Sequence, residues 1–200
     1  MTYIVRLLII ANVAVFLLQY VTHDGLLPYF ALWPLGSGFG PWQLVSYAFL
    51  HANFPHIALN LYALYVFGGM VERVLGTRRF AGLYFASVLT AGITQLIVAS
   101  MSDSAFGYTV GASGGVFGVM LAFAMLFPHS RMYIIPIPIP LKAWVLVAGY
   151  AVIELTSGVM GSNSGVAHFA HLGGMLGAAI VMFSIGWRKK VQPPGELRGP

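Results

Sequence analysis

The chain reads as an all-α polytopic membrane protein built as a bundle of six transmembrane helices. Three observations predict this: an apolar excess, six long apolar stretches, and basic residues confined to alternate connections. Of the 200 residues, 58% are hydrophobic and 8% are charged, with a mean hydropathy of +0.84. A water-soluble globular chain carries about 25% charged residues, so water is not the main solvent. A helix crosses a bilayer with about 20 mostly apolar residues, and candidate spans lie near 4–22, 54–72, 80–99, 113–127, 141–158 and 167–187. They are too long and continuous for barrel strands. The predicted organisation is one membrane domain over 1–191, followed by a flexible Pro/Gly-rich tail over 192–200.

The first span opens on Ile4 and Val5 and is followed by no small-residue cleavage pattern, so it reads as a retained anchor. With six spans, Arg6, Arg73, Arg78, Arg79, Arg131, Lys142, Arg188, Lys189, Lys190 and Arg198 all fall on one side. The opposite connections carry Asp24 and Asp103 and no Lys or Arg. The positive-inside rule then makes both termini cytoplasmic. It also explains a sequence pI near 9.6 without nucleic acid as a partner.

The first outer connection holds Tyr29, Phe30, Trp33, Phe39, Trp42 and Tyr47 among Gly and Pro. That density suits the headgroup level, and the loop is expected on or partly in the outer leaflet. The last outer loop, Ser157 to Gly165, has the small, flexible character of a lid. The IIPIPIP run at 134–140 cannot be helical throughout and reads as an extended connector.

Polar residues inside spans need a reason, and three groups qualify. Gly111-Ala112-Ser113-Gly114 opens the fourth span; His56 and Asn60 share a face of the second, with His51 just before it; His168 and His171 share a face of the sixth. The topology sets all three toward the non-cytoplasmic side, where acyl transfer is the chemistry they would support. A serine hydroxyl needs a base to take its proton, and imidazole has a suitable pKa. His56, the Asn60 amide and the Ser113 backbone N–H, free at a helix start, are candidate donors to the resulting oxyanion. No Asp or Glu is placed to orient His171, since Asp24 and Asp103 are loop residues and Glu154 belongs to another span. A Ser–His dyad is therefore expected rather than a triad.

Each group also has a plain structural reading. Gly111, Gly114, Gly173, Gly174 and Gly177 suit close helix packing, which in the sixth span would draw His171 toward the fourth. Asn60 alone suits an interhelical hydrogen bond, and a lone intramembrane histidine suits structural pairing as well as function. His51, His23 and His129 read as solvated, and Glu154 as reaching the interface. Packing does not, however, require all three groups on one side. The absence of cysteine excludes disulfides, thiolate metal sites and a cysteine nucleophile.

At these residues the chain resembles the rhomboid intramembrane serine proteases. HANFPHIALN at 51–60, GASGGVFG at 111–118 and AHLGGMLG at 170–177 match in order and spacing, and GGMVERVLG at 68–76 resembles the end of that family's second span. The resemblance implies a six-helix core, Ser113 as nucleophile and His171 as general base. His56 and Asn60, with the Ser113 backbone, would stabilise the oxyanion, while His51, Glu72 and Arg73 would be structural. It further implies a water-filled cavity on the outer side, single transmembrane helices as substrates, and no metal or cofactor. Two departures stand out: Trp42-Gln43 where several members carry Trp-Arg, and Phe117 where many carry a tyrosine stacked on the histidine.

The expected function is thus intramembrane endoproteolysis in the cell membrane, with the site open to the non-cytoplasmic face and the oligomeric state open. Two other classes compete with it. A non-catalytic helix-binding or chaperone relative is opposed by the intact Ser113 and His171. A haem or metal protein using His51, His56, His168 and His171 gives Ser113 no job and lacks a His-Glu-x-x-His motif or a nearby carboxylate.

Overall fold

The computed structural model describes residues 1–101, 107–134, 137–160 and 167–187, and among these an apolar helix occupies the position of each of the six apolar stretches. These helices are α1 (Tyr3–Val21), α2 (Phe54–Leu75), α3 (Thr77–Ser100), α4 (Ser113–Leu126), α5 (Ala143–Val159) and α6 (His168–Ser184). The first three are long and apolar enough to cross a membrane; the other three have 14, 17 and 17 residues. Asp103, residues 161–165 of the expected lid, the C-terminal basic residues and the tail lie outside the described residues. The part of the lid that is described is not a loop, because α5 continues through Val159.

Local chemistry sets the boundaries. Asn53 caps α2, its side chain accepting from His56 N at 2.9 Å, with Pro55 in the first turn. A π-helical turn over Leu64–Gly68 interrupts the middle of α2. Gly76, at φ +79°, separates α2 from α3 in a conformation that a side chain would strain. At the start of α5, Ala143 N donates to Ser130 O (2.9 Å) and Trp144 N to Pro128 O (3.3 Å), supplying acceptors for two N–H groups the helix leaves unpaired.

The all-α expectation needs one amendment. The proline-rich connector is extended, as its composition requires, but it is also paired: β1 (Arg131–Ile134) runs antiparallel to β2 (Ile137–Lys142), with Arg131 opposite Lys142. Prolines are tolerated there because an isolated two-stranded ribbon has free edges.

The core lies where α6 packs against α3 and α4. Phe80, Leu83, Tyr84, Val88, Val119, Phe123, Ala178 and Met182 are buried in it. Leu17, Ile93, Ile97, Val152, Ile153, Leu176 and Phe183 face outward on the helices, a surface that fits lipid rather than water. Glu72 has a structural job in the second span. Its carboxylate accepts from Ile4 N (2.9 Å) and Val5 N (3.0 Å), tying the start of α1 to the end of α2, while Arg73 is exposed. Glu72→Ala is expected to lower unfolding stability in detergent by about 2–3 kcal/mol, since it strands two backbone donors in a buried place.

The connection between α1 and α2 is a folded unit. Leu32 and Thr109 form a two-way backbone bridge. Gln43 is buried; its Oε1 accepts from Trp33 N at 3.1 Å and its Nε2 donates to Tyr29 O and Gly38 O at 3.3 and 3.2 Å. Tyr29, Phe30 and Trp42 are exposed, whereas Tyr47 is not an interfacial aromatic: it is buried, and its hydroxyl donates to Val88 O at 2.8 Å.

Candidate active site

The N-terminal ends of α2, α4 and α6 and the C-terminal part of α5 meet at one end of the bundle. Ser113 is the first residue of α4 and His171 lies in the first turn of α6. Ser113 Oγ stands 2.7 Å from His171 Nε2, the separation at which a hydroxyl can pass its proton to imidazole. Phe117, one turn after Ser113, stacks on the His171 ring with centroids 4.3 Å apart and planes 9° apart. The ring is thereby held flat, and the phenyl group does so without a hydroxyl. Tyr150 in turn meets Phe117 edge-on at 6.0 Å.

The approach to Ser113 depends on a glycine. Gly111 has φ +127°, and a Cβ there would lie 2.7 Å from both Cε1 and Nε2 of His56 and 3.7 Å from Ser113 Oγ. The His56 ring therefore lies directly over the backbone that delivers Ser113. Gly111 N donates to Tyr47 O at 3.0 Å, which fastens this turn to the preceding loop. Asn60 is buried one turn after His56, and its Nδ2 donates to His56 O at 3.0 Å. A side-chain amide carries two N–H groups, so one remains for an incoming oxygen.

The remaining glycines lie at close contacts between helices. A Cβ on Gly173 would lie 2.7 Å from Thr94 Cβ, one on Gly177 2.8 Å from Ala86 O, and one on Gly174 2.7 Å from the Gly114 carbonyl carbon. Gly114 faces Ala91 at a similarly close approach. Small residues thus bring α6 against α3 and α4 closely enough for Nε2 to reach Oγ.

Two expectations are corrected here. Glu154 neither stays at the interface nor stands apart from His171. It is buried, its Oε2 lies 2.6 Å from His168 Nδ1, and His171 Nδ1 approaches the same oxygen at 3.0 Å, though without hydrogen-bond alignment. The helical period hides this in the sequence, because the carboxylate arrives from a helix whose register against α6 no motif reveals. His51 is also not solvated, whereas His23 and His129 are exposed. It is buried edge-on to His56 at 5.1 Å, and its backbone exchanges hydrogen bonds with the Gln19 amide at 2.9 and 3.2 Å. Gln19 is not singled out by the sequence reading; like Asn12, it is an amide within a mostly apolar first span, and that was the available signal.

His51 precedes α2, and burial, helped by the nearby His56, lowers its pKa from 6.5 to about 4. A histidine depressed in the folded state stabilises the fold above its unfolded value, and that contribution is lost as pH falls from 6.5 toward 4. Between pH 7 and pH 5 the wild type is expected to lose about 2 kcal/mol more than His51→Gln. Denaturant unfolding of both proteins in detergent checks this.

The four histidines considered for metal or haem form two pairs, His51 with His56 and His168 with His171 through Glu154. Among the described residues no group of three or more His, Cys, Asp or Glu is arranged to hold a metal ion.

A Rhomboid domain model matches residues 39–188. Rhomboid protein 1, mitochondrial, of Saccharomyces cerevisiae is 32% identical over 135 residues, covering 67% of this chain and 39% of the relative. RHOMBOID-like protein 12, mitochondrial, of Arabidopsis thaliana is 33% identical over 153 residues, covering 68% and 44%. Rhomboid protease GlpG of Yersinia pseudotuberculosis is 28% identical over 176 residues, covering 86% and 58%. The chain therefore spans between about two-fifths and three-fifths of the length of these curated relatives. With the family model covering three-quarters of its length and the apolar helices around it, this integral membrane protein belongs to the rhomboid family.

Proposed function

We propose that the chain is an intramembrane serine endopeptidase that cuts transmembrane helices of other membrane proteins. The observation that carries this reading is the 2.7 Å approach of Ser113 Oγ to His171 Nε2. Ser113 Oγ attacks a peptide carbonyl carbon and its proton passes to His171 Nε2. The tetrahedral oxyanion is met by the Ser113 N–H, His56 and the second N–H of Asn60. On collapse the C–N bond breaks and His171 protonates the leaving amine. Water then attacks the acyl ester, giving its proton to His171, which returns one to Ser113 Oγ as the ester bond breaks.

All six long helices cross the bilayer in this reading, with both termini cytoplasmic and the site facing the other side. The charge distribution along the chain supports that orientation. A 14-residue α4 is about 21 Å long, short of the roughly 30 Å hydrocarbon core, so Ser113 can begin its helix below the membrane surface. The exposed Tyr29, Phe30 and Trp42 suit the outer headgroup level. Substrates are single-pass helices in the same bilayer, unwound near small residues.

The relative named as a protease supports the activity, as do the intact serine and histidine. Purified wild type in liposomes is expected to cut a model transmembrane helix and Ser113→Ala to leave it whole. Equal cleavage by both would overturn the assignment.

A further inference from the structure

We propose that Glu154 is a positioning residue for His171, and that this chain carries an acidic third member beside its serine and histidine; the proposal rests on the protease reading above. The evidence is the contact pattern of one buried carboxylate. Its Oε2 is 2.6 Å from His168 Nδ1 and 3.0 Å from His171 Nδ1, and Glu154, His168 and His171 are each roughly nine-tenths buried in their side chains.

The two histidines differ in what else they touch. The Nε2 of His171 is committed to Ser113 at 2.7 Å. To accept the serine proton, that nitrogen must carry the lone pair, so the ring hydrogen must sit on Nδ1. A carboxylate beside Nδ1 favours that tautomer, and it stabilises the imidazolium formed when the serine proton arrives. His168 sits one turn earlier on the same helix, and its shorter contact to the same oxygen fixes the carboxylate beside His171. Phe117 confines the ring to one plane, so the half-turn flip about Cβ–Cγ, which keeps that plane but carries Nδ1 away from the carboxylate, is what Glu154 is left to restrain.

The 3.0 Å contact lacks hydrogen-bond alignment. The expected contribution is therefore that of a nearby charge, smaller than the loss of a fully bonded triad acid.

The test is cleavage kinetics in liposomes for wild type, Glu154→Gln and Glu154→Asp, with the unfolding midpoint of each. Glutamine keeps the shape and can still accept from His168, so a packing role would survive it. Glu154→Gln is expected to lower kcat about tenfold to a hundredfold, to leave KM within about twofold, and barely to move the midpoint. Glu154→Asp, which keeps the charge, is expected to recover at least about a third of the wild-type kcat. Should aspartate destabilise the helix pair, labelling by a serine-reactive phosphonate, slowed in the glutamine variant alone, gives the same answer. Wild-type kcat in Glu154→Gln, or a loss confined to KM, overturns the proposal while leaving the protease reading intact. Wild-type protein that neither cleaves nor takes the phosphonate overturns both.

Discussion

Ser113→Ala and His171→Ala are each expected to cut the cleavage rate by at least about 10⁴-fold, and the double variant to lose little more. The non-additivity is the informative part. In the proposed mechanism the hydroxyl and the imidazole act as a pair through their 2.7 Å contact, so removing either would disable the same proton transfer. Neither change should unfold the protein. Ser113→Ala deletes one oxygen, and α4 retains the buried contacts of Val116, Val119 and Phe123. His171→Ala leaves Phe117 without its stacking partner and should cost modest stability. Single-turnover cleavage beside unfolding midpoints separates loss of chemistry from loss of fold.

The second large effect is expected at a residue that performs no chemistry. Gly174→Ala would place a Cβ 2.7 Å from the carbonyl carbon and 3.0 Å from the Cα of Gly114, and closer still to its oxygen. The obstruction is backbone, which cannot rotate aside as a side chain can, so α6 must move away from α4. His171 lies one turn before Gly174 and Ser113 one residue before Gly114, so the same displacement opens the Ser–His contact. A shift of about 1 Å at reacting atoms can cost about 10²-fold in rate, and the overpacking itself about 1–3 kcal/mol. Gly149→Ala is the control: nothing lies within 4 Å of its Cβ position, and rate and stability should stay close to wild type. Parallel measurement of kcat and unfolding midpoint for the two alanine variants checks both halves of the expectation.

Much of this architecture was legible because lipid imposes simple rules. Apolar length marks helices, and a polar residue within such a stretch needs a partner or a job. Ser113, His56 and His171 stood out on that ground, and the packing role of Gly173, Gly174 and Gly177 followed from small residues at four-residue spacing. Phe117, one turn after Ser113, could be assigned to the His171 ring from the family's pattern. What stayed hidden depends on rotation between helices far apart in sequence. Glu154 is one polar residue on an apolar helix, and only the packing of α5 on α6 turns it toward His168 and His171. Tyr47 looked like another headgroup aromatic until its loop folded inward against α3. The pairing of β1 with β2 was unreadable because proline-rich stretches signal extension without signalling a partner.

The most direct test of the central claim is mass-spectrometric mapping of a fluorophosphonate adduct on the purified protein in liposomes. Attack by an activated serine displaces fluoride and leaves the phosphonyl group on that oxygen. A single adduct is expected on Ser113 in the wild type and none in His171→Ala, because in the proposed mechanism Ser113 is reactive only with His171 beside it. An adduct on a different residue, or equal labelling of Ser113 without His171, would contradict it.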